Sequence, residues 1–320
     1  MPMTFIQPDK QVFDWLLAGD PAIVYQVHRD LLDQSSPKEL KTLQNEIVHS
    51  GWGKELLDRQ GENGLWANAI YSPKWISTHY SLQLLMRLGF PHDHPVPQKA
   101  IKTYLDKSFY SDGGINIGVT STVSDVCVTA MVLSMGIYFN VKDVRTEKMI
   151  DYFVNTQVSD GGWNCDYQGG EHHSSVHTTL SVLDALERYR KVEPSDERVS
   201  KLISDGLKFM FDHKLYKSHR TGEPMKASFT RFSFPPRWFF DVMKALDQFQ
   251  LHKVPYNPAM QDGLDLLCKK QKKSGKWTVQ NKHAGRVYFD MEKTGDESRW
   301  NTLRALRILK AYGEVDFDVR

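Results

Sequence analysis

The chain has 320 residues, about 40% apolar and 25% charged, with 41 basic residues against 39 acidic ones and a formal net charge of +2. A chain of this size buries a core without disulfide staples, and its near-neutral balance argues against a nucleic-acid surface, which needs a concentrated basic stripe. No apolar run approaches the ~18 residues of a membrane span, the N-terminus lacks the pattern of a signal peptide, and three cysteines without disulfide spacing predict a reduced, cytoplasmic setting.

In chain order, the step Asp20-Pro21 predicts a capped helix over 21–32, and Ser36 caps a second over 37–48. From Asn63 onward a unit recurs: a Gly-containing turn, a polar stretch, then an apolar-periodic helix. The turns are NGLW at Asn63, SDGG at Ser111, SDGGW at Ser159 and SGKW at Ser274. The helices that follow begin at Ser77, Ser124, Ser175 and Ser298, and a fifth, PRWFFDVMKAL, begins at Pro236 without a clear turn before it. Their apolar positions align, with Leu84, Val132, Val182 and Ala305 in one column and Leu85, Leu133, Leu183 and Leu306 in the next. Between them lie second helices over Lys99–Lys107, Thr146–Thr156, Glu197–His213 and Pro258–Gln271. The stretch Gly206–Arg237 is the most irregular repeat, and Arg286–Met291 (RVYFDM) reads as a short strand.

Such units cannot bury their apolar sides alone, so they stack, and joining last to first covers every edge. The expectation is an all-α chain, an (α/α)6 toroid of inner and outer helices around a central cavity. It forms one domain over 1–320, in which residues 1–60 close the ring and 61–320 carry the Gly-Trp-turn repeats.

The alignment puts His79, Cys127, His177, Trp238 and Trp300 just inside the starts of inner helices, where they would face one another at one mouth of the ring. Asp125 precedes Cys127 by two residues, and Cys165 lies in the loop before the His177 helix. Thiolate, imidazole and carboxylate are the usual zinc ligands, so Asp125, Cys127, His177 and Cys165 are the expected metal set. Asp125, His79 and Lys74 are the candidate catalytic groups, Lys74 as a contact for an anionic group near the mouth. Tyr71, Trp75, Trp163, Trp238 and Trp300 are expected to line the cavity. A single His or Cys on a helix is more often a core residue, and Cys268 is read that way; three such residues in register are what set the others apart.

These segments resemble the terpenoid cyclase and protein prenyltransferase superfamily of α/α-toroids, including squalene-cyclase-like proteins and prenyltransferase β-subunits. The resemblance runs from about Asn63 to the C-terminus and is strongest in SDVCVTAMVLSMG and DGGWNC…SSVHTTLSVLDAL. It implies zinc on Asp125, Cys127 and His177, which match the Asp-x-Cys and His of prenyltransferase β-subunits, and it implies a helical partner protein. Two departures stand out. The stretch GINIGVTSTVS before the Asp-x-Cys holds no basic residue for a diphosphate, and no Asp-x-Asp-Asp acid motif occurs. The reading is therefore a zinc-dependent, prenyltransferase- or cyclase-like enzyme acting on a hydrophobic, isoprenoid-like substrate in an aromatic cavity. The alternative is a toroid that binds a lipid-like ligand or a protein without catalysis, having lost prenyl diphosphate chemistry.

Overall fold

The computed structural model describes residues 5–32, 35–118, 121–170 and 172–313. It is all-α, with thirteen helices and one two-stranded ribbon among those residues. The helices form six outer–inner pairs: α1 (Lys10–Leu17) with α2 (Pro21–Asp30), α4 (Gly51–Asp58) with α5 (Thr78–Leu88), α6 (Pro95–Ser108) with α7 (Val126–Tyr138), α8 (Val144–Thr156) with α9 (Val176–Val192), α10 (Glu197–Asp212) with α11 (Val242–Leu251), and α12 (Gln261–Lys269) with α13 (Arg299–Tyr312). An additional helix, α3 (Pro37–His49), packs on α2 and α4.

Each inner helix begins at a residue suited to stop the chain from continuing backward as helix: Asp20, Ser77, Asp125, Ser175, Asp241 and Ser298. Asp20, Asp125, Asp241 and Ser298 accept from the backbone N–H groups of Ala22, Val128, Lys244 and Asn301. The cap at Asp241 corrects the expected start at Pro236. Asp241 also accepts from the backbone N–H of Ser233, and the residues from Pro235 to Phe240 form a loop instead of a first turn. A proline disfavours helix at the residue before it, so Pro236 marks the end of the irregular stretch and not the helix.

Contacts between inner helices run in a closed circuit. Gln26 Nε2 donates to the Arg87 carbonyl at 2.9 Å, joining α2 to α5. Gln83 Nε2 lies 2.9 Å from Met131 Sδ, joining α5 to α7; α7 packs along α9. Gln248 Nε2 donates to the Leu180 carbonyl at 2.8 Å, joining α9 to α11. Arg304 Nε meets Asp247 Oδ2 at 3.1 Å, joining α11 to α13. Arg307 Nη1 donates to Gln26 Oε1 at 3.0 Å and returns the circuit to α2. Two of these steps, Gln83–Met131 and Asp247–Arg304, join the sixth residue of one inner helix to the sixth of the next.

The recurring turn has a mechanical role. The tryptophan indole Nε1–H reaches back ten residues to a carbonyl on the preceding outer helix: Trp66 to Leu56 at 2.7 Å, Trp163 to Phe153 at 2.9 Å and Trp277 to Leu267 at 2.8 Å. The backbone N–H of the same tryptophan donates to a threonine in the first turn of the next inner helix: Trp66 to Thr78, Trp163 to Thr179 and Trp277 to Thr302, at 3.0, 3.0 and 3.1 Å. Ile115 takes the tryptophan's place in the second turn and keeps the bond to Thr129 at 2.8 Å. In the SDGG turns the aspartate ties down the serine just before the inner helix, Asp112 with Ser124 and Asp160 with Ser174. The first glycine carries a positive φ, 92° at Gly113 and 94° at Gly161, and a Cβ there would stand 2.9 and 3.0 Å from carbonyl oxygens of the next outer helix.

The expected strand at Arg286–Met291 is not one. The ribbon pairs Trp277–Thr278 with Glu297–Ser298. The alternation of RVYFDM serves a different end: its backbone zips onto the segment before α5, with Trp75 N–H to the Arg286 carbonyl at 2.8 Å and Arg286 N–H to the Lys74 carbonyl at 2.9 Å, and its aromatic side chains turn onto the mouth of the ring. No described helix is long and apolar enough to cross a membrane.

Candidate functional site

Asp125, Cys127 and Cys165 meet at the start of α7, with one ligand atom from each lying within 4.8 Å of the other two. Asp125 is placed by its capping role, Oδ1 accepting from Val128 N–H at 2.9 Å. The same oxygen accepts from Cys127 Sγ at 3.1 Å and from Cys165 Sγ at 3.4 Å. Cys165 is carried in by the loop that Trp163 pins, and its sulfur accepts from the Cys127 backbone N–H at 3.3 Å and lies 3.3 Å from Thr178 Oγ1. The Cys165 sulfur, burial and the Asp125 carboxylate push the Cys127 thiol well above its usual pKa. Two thiols and a carboxylate share this small space, and a divalent cation there would take the place of the thiol protons. The donor set fits a zinc-type ion with an open position.

His177 stands outside this group, against its expected place as a ligand. Its Nδ1 accepts from Phe240 N–H at 3.0 Å, so the neutral ring carries its proton on Nε2 and offers neither lone pair to a metal. Phe229, Trp238 and Phe240 surround it, with ring centroids 5.2 to 6.1 Å away. Burial and the nearby Lys244 ammonium hold its pKa down at about 4. His79 is wholly buried, with Nδ1 3.2 Å from Tyr104 OH on α6 and burial lowering its pKa to about 3. It sits in the core as a neutral imidazole, outside the group formed by Asp125, Cys127 and Cys165. Cys268 is buried in α12, as expected.

Trp163 is also corrected. It pins outer to inner helix, fully buried against Gly206 and Leu183, and does not face the ring interior. With α11 starting at Val242, the position equivalent to Cys127 is Met243, and Trp238 belongs to the loop. Tyr71, Trp75 and Trp238 do gather at the mouth, whereas Trp300 stacks on Phe234 at 4.5 Å and lines the deeper cavity. Trp238 stacks on Phe239 at 3.8 Å and Phe239 on His283 at 3.9 Å. Trp75 stands edge-on to Tyr80 at 4.7 Å, its indole N–H donating to the Ala284 carbonyl at 2.9 Å. Lys74 is exposed, with its ammonium 5.7 Å from the Trp75 ring and 5.4 Å from that of Trp238. Tyr71 packs on Tyr80 and His79; burial, with Cys127, Asp125 and Cys165 nearby, pushes its phenol up to about 12.

The mouth is filled where a hollow was expected. Under the segment 282–292, walled by Trp75, Phe234, Tyr288 and Phe289, the cavity is about 30 Å³, room for water and far below the ~300 Å³ of a typical small-molecule pocket. Deeper in the ring the lining changes character. The sixth residues of the six inner helices are Gln26, Gln83, Met131, Ser181, Asp247 and Arg304, and all six line the interior. Five of the six ninth residues do so too: Arg29, Met86, Ser134, Asp184 and Arg307. From Trp300 near the start of α13 to Leu251 at the end of α11 the interior widens to a cavity of about 140 Å³, half of whose lining residues are charged.

Sequence reasoning missed this charged lining. The signal was present: Arg87, Asp184, Lys244 and Arg304 interrupt apolar runs that otherwise read as core, and charged residues are almost never fully buried without partners.

No protein-family model matches the chain, and no curated protein matches it. Among solved structures it is similar to the ligand-free type II terpene cyclase MstE from Scytonema, at 16% identity over 93% of this chain and 90% of that one, with a TM-score of 0.48. It is similar to a variant of the same cyclase in complex with its substrate geranylgeranyl dihydroxybenzoate, at 14% identity, 92% and 87% coverage and a TM-score of 0.49. A protein from Actinoplanes is similar at 16% identity, 91% and 88% coverage and a TM-score of 0.47.

Proposed function

We propose that the protein is a metal-dependent enzyme whose centre is a zinc-type ion held by Asp125, Cys127 and Cys165, and whose substrate is apolar and isoprenoid-like. The observation that carries this reading is the convergence of two thiols and a carboxylate at one helix start, with ligand atoms within 4.8 Å of one another. When bound, such an ion supplies Lewis acidity and an anchor for a Lewis-basic group of the substrate. The chain's own residues do the rest. Asp125 is held in place by the α7 backbone, Thr178 steadies Cys165, and the half-buried Tyr71 beside them offers a ring face that suits hydrocarbon and stabilises positive charge. Elemental analysis of untagged protein purified without chelators tests this. Zinc near one equivalent per chain, lost in Cys127→Ser and in Cys165→Ser, supports the centre; metal-free protein of undiminished stability removes it.

One observation favours a second reading, a ring that binds a ligand without transforming it: the stretch GINIGVTSTVS before Asp125 carries no basic residue for a diphosphate, and no Asp-x-Asp-Asp acid motif occurs. Native mass spectrometry separates the two: a co-purified lipid-like molecule on metal-free protein favours binding alone.

A further inference from the structure

The charged cavity is distinct from the group Asp125, Cys127 and Cys165, none of which lines it, and it extends from Lys244 and Trp300 near two helix starts to Tyr138 and Leu251 at two helix ends. Tyr138 at its edge lies eleven positions along α7 from Cys127, a span of ~17 Å. Six cationic side chains face this cavity: Arg29, Arg87, Arg188, Lys244, Arg304 and Arg307. Three carboxylates pair with them. Asp30 takes Arg29 and Arg307, Asp184 takes Arg188, and Asp247 takes Arg304 and Arg307. Two cations are left without a carboxylate partner among the described residues, Arg87 and Lys244. Arg87 donates from Nη2 to the Arg237 carbonyl at a long 3.4 Å, and its buried Nε has no partner. Lys244 Nζ reaches only backbone carbonyls, the nearest that of Phe239 at 3.0 Å.

Burying a charge without a counter-charge is costly. Helix dipoles account for part of it, since Arg87 sits in the last turn of α5 where a cation is favoured. They do not account for Lys244, the third residue of α11, where the dipole opposes a cation. Two further buried donors lack protein partners, Trp300 Nε1 on this cavity and Ser134 Oγ on a smaller one that shares Arg87 and Lys244 with it. Buried polar groups nearly always have partners, so the arrangement is incomplete as the chain alone presents it.

We propose that this cavity is a binding site for a divalent oxyanion of the phosphate class, held between the Arg87 guanidinium and the Lys244 ammonium. With Lys244 protonated, two unmatched positive charges favour a dianion over a monocarboxylate, and a guanidinium fork with a free Nε is shaped for phosphate oxygens. The cavity, about 140 Å³ with Leu251 exposed at its rim, admits a group of that size from solvent.

The test uses the full chain and inorganic phosphate and diphosphate as probes, with binding read by calorimetry and by the thermal midpoint against chloride at equal ionic strength. Phosphate or diphosphate should raise the midpoint where chloride does not, and Arg87→Gln and Lys244→Met should each weaken affinity about tenfold or more. Cys127→Ser should leave anion affinity unchanged, which separates this site from the metal centre. A parent protein that responds to phosphate no more than to chloride overturns the proposal, as does undiminished binding by both variants. Should Arg87→Gln fail to fold, Lys244→Met carries the comparison, because it removes a charge that the fold buries unpaired.

Discussion

Arg307 on α13 donates to Asp30 on α2 at 2.9 Å across 277 residues of sequence, and through Nη2 the same guanidinium holds Asp247 at 2.7 Å. The far end of the chain is thereby fastened to its beginning by one buried, two-sided ion pair. Burial opposes ionisation of both carboxylates, yet their arginine partners win and hold them below the usual carboxylate range. Replacing Arg307 with Met leaves two buried carboxylates short of a cation. The expected loss is about 3–5 kcal/mol, read as a fall in the urea midpoint, with partial recovery in the triple variant that also carries Asp30→Asn and Asp247→Asn.

The threonine that receives each turn's backbone N–H should matter out of proportion to its size. Thr179→Val keeps the shape but removes the acceptor for Trp163, whose N–H is then buried without a partner. A loss of about 1–3 kcal/mol is expected. A similar loss should follow Thr129→Val, although an isoleucine stands in that turn, because the bond at stake is to the backbone.

Lys244 makes stability depend on pH in a defined direction. Burial, with the Arg87 charge added, lowers its pKa from 10.5 to about 7. Between those values the unfolded chain holds a proton that the folded chain has released, so stability rises with pH across that window and is flat, for this group, below it. Urea midpoints of the parent should climb from pH 7 toward pH 10 relative to Lys244→Met. Parallel profiles for the two proteins would contradict the assignment.

At the metal centre, chelation should act like a mutation. Dialysis of zinc-loaded protein against a strong chelator is expected to lower the thermal midpoint and to free two thiols for reagent titration, those of Cys127 and Cys165. An unchanged thiol count with and without chelator would speak against both cysteines being ligands.

The helical pairing was legible because it is written twice, in apolar columns such as Leu85, Leu133 and Leu183 and in the turns that separate them. The capping residues were legible as well, and Asp20 and Ser298 do what their types suggest. The candidate site was half legible. Asp125 and Cys127 are fixed by one helix start, so their neighbourhood follows from spacing alone. Whether His177 or Cys165 completes the set depends on which way a ring turns and how a loop returns, and both are decided by distant groups: the Phe240 backbone and the Trp163 pin. The charged interior was missed because a polar residue in an apolar run looks like an exposed face when no partner is in view; Asp247 finds Arg304 and Arg307 about sixty positions away.

Closing a circuit over so long a separation has a kinetic price. The α13–α2 seam joins elements far apart in the chain, so it carries a large loop-closure cost and is expected to form late. Until then the chain is an open arc with a complementary edge at each tip, and a second arc offers the same edges as its own far end. At high concentration during refolding, the characteristic misassembly should be a dimer in which two arcs seal each other reciprocally.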